Sequence, residues 1–164
     1  MEPAADAPVW YFGYGSNMSR AIFLERRKMS PVETRWGWLS GYRLCFNIPV
    51  GAGERGVANV EPDATARTCG VLYLLTPADC DRLDRTEGVH VGLYRRAPVE
   101  VELGARRVAA FTYQSSLTHA GRKPSARYLG LLLDGAHHHG LPREYIHYLE
   151  SFELAWDERE SERR

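Results

Sequence analysis

The stretch Val9-Trp10-Tyr11-Phe12-Gly13-Tyr14-Gly15-Ser16-Asn17 decides how the rest of the chain is read. Aromatic and β-branched residues favour extended backbone, and Gly15, Ser16 and Asn17 are turn and helix-cap formers, so a strand over 9–14 runs into a tight turn. Beyond the turn, Met18, Ala21, Ile22, Glu25 and Met29 keep helical spacing, which predicts an amphipathic helix beginning at the turn and ending before Pro31. Strand, glycine turn and helix in that order aim unpaired N–H groups and the positive helix end at whatever occupies the turn, a place that suits a carboxylate. The same residues also make an ordinary structural turn capped by Ser16 or Asn17. Met18 stands where the dinucleotide fingerprint has its third glycine, and no Gly-Lys-Ser/Thr follows, which disfavours a nucleotide.

Outward from this unit, residues 34–39, 42–48, 57–61 and 69–75 read as strands separated by Gly and Pro. Thr76-Pro77-Ala78-Asp79 supplies an N-cap, a proline at the first helical position and an acid three residues after the cap. The short helix that follows runs to Thr86 or Glu87 and is closed by Gly88. Residues 94–103 and 107–113 form a hairpin turning at Gly104-Ala105. Ser125 caps a helix through His138 with Gly140 past its end, and Pro142 opens a last helix to about Phe152. This order lacks the strict βαβ alternation of a doubly wound sheet, so the expected class is α+β: a mixed, barrel-like β-sheet flanked by helices.

A chain of 164 residues has room for one core. The expected layout is a disordered N-terminus over 1–8, a single domain over 9–156, and a charged, solvated tail over 157–164 with no apolar residue. Twenty-one Lys and Arg balance twenty-one Asp and Glu, so no overall field draws the chain to nucleic acid or to an anionic membrane. A small neutral or zwitterionic partner is more natural. Neither a signal peptide nor an apolar run long enough for a bilayer is visible, which makes the cytoplasm the expected compartment. Cys45, Cys69 and Cys80 are odd in number and lack C-x-x-C spacing, so they read as small buried hydrophobes.

Cys80, Leu83 and Glu87 share one helical face, which turns Glu87 inward; losing hydration there raises its pKa and suits it to shuttle a proton near neutrality. The plainer alternative is a part-exposed Glu87 paired with Arg95 or Arg96. Tyr94 and Tyr128 stand at a strand start and near a helix start, where a hydroxyl can reach a pocket. His137, His138 and His139 point in different directions and read as surface residues, and His90, His119 and His147 show no ligand or triad spacing. Gly-Tyr-Gly-Ser-Asn is not Gly-x-Ser-x-Gly, so Ser16 is a minor option as nucleophile.

Four segments taken together, Tyr11 to Asn17, Glu87-Gly88-Val89-x-x-Gly92-Leu93-Tyr94, Pro124-Ser125-Ala126-Arg127-Tyr128 and Gly140-Leu141-Pro142-x-Glu144-Tyr145, resemble the γ-glutamylcyclotransferase family in the same order. The resemblance covers roughly residues 9–150. Asn17 and the Glu-Gly-Val block favour that family over its glutathione-specific relatives, in which Leu typically takes the place of Asn17. The resemblance implies a mixed β-barrel and conversion of a γ-glutamyl amine or γ-glutamyl amino acid into 5-oxoproline and the free amine, without metal or cofactor. By the match Glu87 is the general acid/base; Tyr11, Phe12, Gly13, Tyr14, Gly15, Ser16 and Asn17 hold the γ-glutamyl group, and Tyr94 and Tyr128 line the pocket. The amides of the turn then hold either the substrate's α-carboxylate or the oxyanion. The partner expected is a small γ-glutamyl substrate, with no nucleic acid and no membrane, acting on a monomer or homodimer. Loops over 51–56 and 116–123 are expected to meet the leaving amine, whose identity the residues leave open. A non-catalytic module of the same fold, binding a γ-glutamyl metabolite or a protein, is the competing reading; an inward carboxylate, costly to desolvate, speaks against it.

Overall fold

The computed structural model describes residues 6–156; the expectations for residues 1–5 and for the tail 157–164 lie outside the described residues. Five strands close a barrel in the order β1-β3-β2-β4-β5. Strand β1 (Val9–Gly13) pairs antiparallel with the end of β3 (Gly56–Leu75), with Tyr11 opposite Tyr73. The other face of the order runs from β3 to β2 (Glu33–Pro49), then through Trp38 and Glu102 to β4 (Arg95–Leu103), and on to β5 (Arg106–Gln114). Tyr11 lies parallel to Phe111 of β5 and completes the circuit. The class is the mixed barrel with flanking helices expected from the element order.

The four short strands expected between residues 34 and 75 are two long ones. Gly41, with φ +86, sits at a register shift between Ser40 and Tyr42, and a second shift falls between Cys45 and Ile48. The ribbon therefore absorbs its glycine breaks as bulges and goes on pairing, where local rules read strand ends.

The α-helix expected after the glycine turn is absent. A 3-10 turn, Ser16–Met18, is followed by a π-helical turn, Ala21–Arg26, and the chain leaves through Lys28 at φ +59. Gly15 and Ser16 carbonyls accept from the Met18 and Ser19 amides at 3.0 Å, and the wider Arg27 N–H to Ile22 carbonyl bond of 2.9 Å follows. This winding buries Ile22, Phe23 and Met29 and brings Arg27 to the border of the cavity beside the glycine turn. No long helix dipole points at the turn.

Helix α1 (Pro77–Thr86) begins where Thr76 accepts from the Asp79 amide at 3.2 Å, and Gly88 follows at φ +68. Helix α2 (Ala126–His138) is capped by Ser125, which accepts from the Tyr128 amide at 3.0 Å, and α3 (Arg143–Glu150) packs beside it. The three cysteines are free and buried; loss of hydration pushes the Cys45 thiol up to about 11 and the Cys69 thiol up to about 12. No helix among the described residues is long and apolar enough to cross a membrane.

Candidate active site

A cavity of about 230 Å³ opens between the glycine turn, the end of α1 and the inner wall of the barrel. Tyr11, Tyr14, Gly15, Ser16, Asn17, Glu87, Tyr94 and Tyr128 all border it. Residues separated by more than a hundred positions thus meet because β1 leads into the turn, Glu87 directly follows α1, and Tyr128 lies in the first turn of α2.

Phe12 and Gly13, expected to help hold the γ-glutamyl group, do not border the cavity. Strand alternation sends Phe12 to the opposite face, where it is fully buried against Gly70: a Cβ at Gly70 would lie 2.6 Å from the Phe12 ring. Gly13 is a spacer, since a Cβ there would lie 3.4 Å from the Tyr11 hydroxyl. The loops over 51–56 and 116–123 do not reach this cavity either. They pair with each other, through the Gly56 N–H to Lys123 carbonyl and Lys123 N–H to Glu54 carbonyl bonds of 2.8 and 2.7 Å, and border neighbouring hollows.

Asn17 organises the polar side of the cavity. Its side chain, on a residue only 4% exposed, donates from Nδ2 to the Tyr11 hydroxyl at 2.9 Å and to Glu87 Oε1 at 2.8 Å. Its main-chain carbonyl accepts from the Tyr73 hydroxyl at 2.7 Å. His139, expected at the surface, is half-buried and sets Nε2 3.2 Å from the Met18 carbonyl, which braces the same turn from behind; its burial lowers its pKa.

Glu87 lies just beyond the last residue of α1 with its carboxyl turned inward, its side chain 14% exposed. Burial raises its pKa, against the opposing pull of Arg27 and of the Asn17 hydrogen bond. Its cationic neighbour is Arg27, Nη1 to Oε1 3.4 Å, and not Arg95 or Arg96. Arg96 is taken by Asp84 at 2.8 Å, and Arg95 donates to Gln114. In the sequence Arg27 stands between Arg26 and Lys28, and nothing in that run of like charges sets it apart.

The tyrosines hold the wall in place. Tyr14 donates to the Tyr113 carbonyl at 2.5 Å, Tyr94 donates to the Ala58 carbonyl at 2.7 Å, and Tyr128 accepts from the Ala58 N–H at 3.0 Å. Ala58 lies within the second register shift of the β2–β3 ribbon, between Val57 opposite Ile48 and Asn59 opposite Cys45. Loss of hydration drives the Tyr128 phenol up to about 12 and the Tyr11, Tyr14 and Tyr94 phenols higher than usual, so all four stay neutral donors or acceptors. Tyr94→Phe strands the Ala58 carbonyl in a buried site and is expected to cost about 1–3 kcal/mol, read from urea unfolding midpoints. Wild-type stability in that variant would mean the carbonyl has another donor.

Among the described residues no group of three or more His, Cys, Asp or Glu is placed to hold a metal ion. The arrangement offers one buried carboxyl of raised pKa, one guanidinium, an amide side chain and a turn with backbone N–H groups: the means to bind a small polar molecule and move a proton on it.

Known proteins resemble the chain in both sequence and fold. The model of the AIG2-like family matches residues 67–149. The γ-glutamyl cyclotransferase gliK of Claviceps purpurea is 33% identical over 147 residues, spanning 78% of this chain and 63% of that protein. The γ-glutamylcyclotransferase of Bos taurus is 30% identical over 151 residues, spanning 87% of this chain and 78% of that protein. The chain therefore spans less than two thirds of the Claviceps relative. A solved γ-glutamyl cyclotransferase superimposes with a TM-score of 0.82 over 90% of this chain and 89% of its own, at 24% identity, which speaks to the fold alone.

Proposed function

The chain belongs to the AIG2-like family, alongside the γ-glutamylcyclotransferases, and from that premise we propose that it cyclises a γ-glutamyl amine or γ-glutamyl amino acid to 5-oxoproline. The observation that carries this reading is the inward Glu87 carboxyl, 2.8 Å from Asn17 in a cavity of small volume beside the glycine turn. The substrate's α-nitrogen attacks its own γ-carbonyl carbon; a C–N bond forms within the five-membered ring and the bond to the leaving nitrogen breaks. Nucleophile and electrophile belong to one molecule, so a cavity that holds the folded conformer supplies much of the acceleration. No protein nucleophile is needed.

Glu87 takes the proton that the attacking nitrogen sheds and returns it to the departing nitrogen, base first and acid second. A carboxyl held above its ordinary range suits both steps, because it accepts a proton at neutral pH without being too weak an acid to give it back. The tyrosines exclude water and keep the wall neutral. Since the ionised form of Glu87 starts the reaction, kcat/KM is expected to rise with pH along a limb centred above the ordinary carboxylate range. A pH–rate profile checks this, and a limb at the usual value would place the titrating group elsewhere.

The test of the reaction is chromatographic: incubation with γ-glutamyl-alanine and with a γ-glutamyl amine, followed by separation of 5-oxoproline. Product from either supports the reading, and its absence from both overturns it.

A further inference from the structure

We propose that Arg27 is the residue that recognises the α-carboxylate of the γ-glutamyl group, leaving the Gly15–Asn17 turn to the oxyanion. The proposal rests on the cyclotransferase reading and adds a specificity-determining residue to it. Three observations lead there. Arg27 is the one cationic residue among the described residues that border the cavity, whose other lining residues are tyrosines, uncharged polar and apolar residues and the Glu87 carboxyl. An anionic substrate head placed anywhere else in this space meets Glu87 without a countercharge. Second, the Arg27 Nε–H is buried and has no hydrogen-bond partner, an uncommon condition for so strong a donor. Third, its contact with Glu87 is a long one, 3.4 Å through Nη1, so the fork of the guanidinium is not engaged by that carboxylate. Nε with a terminal nitrogen is the edge that grips a carboxylate with two parallel bonds.

A complementary vacancy of opposite polarity lies on Asn17. Its Oδ1 is buried and unpartnered while its Nδ2 is spent on Tyr11 and Glu87. An unmatched donor on Arg27 and an unmatched acceptor on Asn17, each on a residue that also bonds Glu87 Oε1, match the two ends of an α-amino-acid head: carboxylate to the first, amino group to the second. Seated so, the amino group lies on the side of the carboxyl that must deprotonate it. The π-helical winding of Ala21–Arg26 brings Arg27 to the cavity, and Lys28 in the left-handed region turns the chain away directly after it.

The experiment compares γ-glutamyl-alanine with 4-aminobutanoyl-alanine, which lacks only the α-carboxylate and closes to 2-pyrrolidinone. In parallel, calorimetry compares 5-oxoproline with 2-pyrrolidinone. Wild type is expected to prefer the carboxylate-bearing member of each pair by at least about tenfold, the scale of one charge-assisted hydrogen bond. Arg27→Gln is expected to bring both ratios near one, and Arg27→Lys, which keeps the charge without the fork, to keep part of them. Thermal melting accompanies each variant; should Arg27→Gln fail to fold, the intermediate ratio of Arg27→Lys carries the test. A wild-type ratio in either variant, or no preference in wild type, overturns the proposal while 5-oxoproline formation leaves the cyclotransferase reading standing. Arg27-dependent binding of 5-oxoproline with no turnover of any γ-glutamyl compound does the reverse.

Discussion

Glu87→Gln is expected to lower kcat for 5-oxoproline formation by about 10²–10⁴-fold, the usual contribution of a positioned acid or base, while 5-oxoproline still binds. The amide matches the carboxyl in size and keeps an oxygen to accept from Asn17 Nδ2, now 2.8 Å away, but exchanges no proton. The same substitution is expected to stabilise the fold at neutral pH. Burial holds the Glu87 proton to a higher pH in the native state than in the unfolded chain, so the native state binds more protons between the two pKa values and stability is lost as pH rises through that window. Above it the wild type carries a poorly hydrated charge that the glutamine lacks. Urea midpoints should therefore favour the variant at pH 7, with a gap that narrows on acidification. Near wild-type turnover would remove Glu87 from the chemistry, and a gap independent of pH would mean that the carboxyl gains no proton on folding.

Gly135→Ala is expected to damage both stability and turnover, although it lies on α2 and borders none of the cavity. A Cβ at Gly135 would stand 2.5 Å from the Met18 carbonyl carbon and oxygen, and backbone cannot rotate aside as a long side chain does. Met18 follows Asn17 directly, so the 3-10 turn must move to make room. Overpacking of this kind costs about 1–3 kcal/mol, against which alanine's helix propensity returns at most about 1 kcal/mol. A displacement near 1 Å in a group that orients the reactants is worth about 10²-fold in rate. Gly130→Ala, on the same helix with open space around it, is the control and should be neutral or mildly stabilising. Full activity in a destabilised Gly135→Ala would show that Asn17 keeps its place without α2.

These expectations rest on features of unequal visibility in the sequence. Thr76-Pro77 and Ser125 announce their helices because a cap is a bond between near neighbours, and the structure has both. Gly88 and Gly104 mark turns for the same local reason, each in the left-handed region. The long β2–β3 ribbon was hidden because bulges at Gly41 and near Phe46 look like strand ends until the partner strand is known. At the site, Tyr14 to Asn17, Glu87, Tyr94 and Tyr128 were legible as residue types and motifs, while Arg27, Ala58 and Tyr113 were not. Their presence depends on a π-helical turn and on barrel closure, which are products of packing and leave no periodic trace. Phe12 and Gly13 were carried along by their neighbours in the motif, although alternation along β1 already sends Phe12 the other way.

The register slip around Ala58 makes the backbone of one residue in the wall a gauge. Two phenols clasp it, one at each polar end, and both phenols also face whatever fills the hollow. Deuterium uptake at that amide should slow when a bound molecule presses Tyr128 into place, so the barrel reports its own occupancy at a single, unlabelled position.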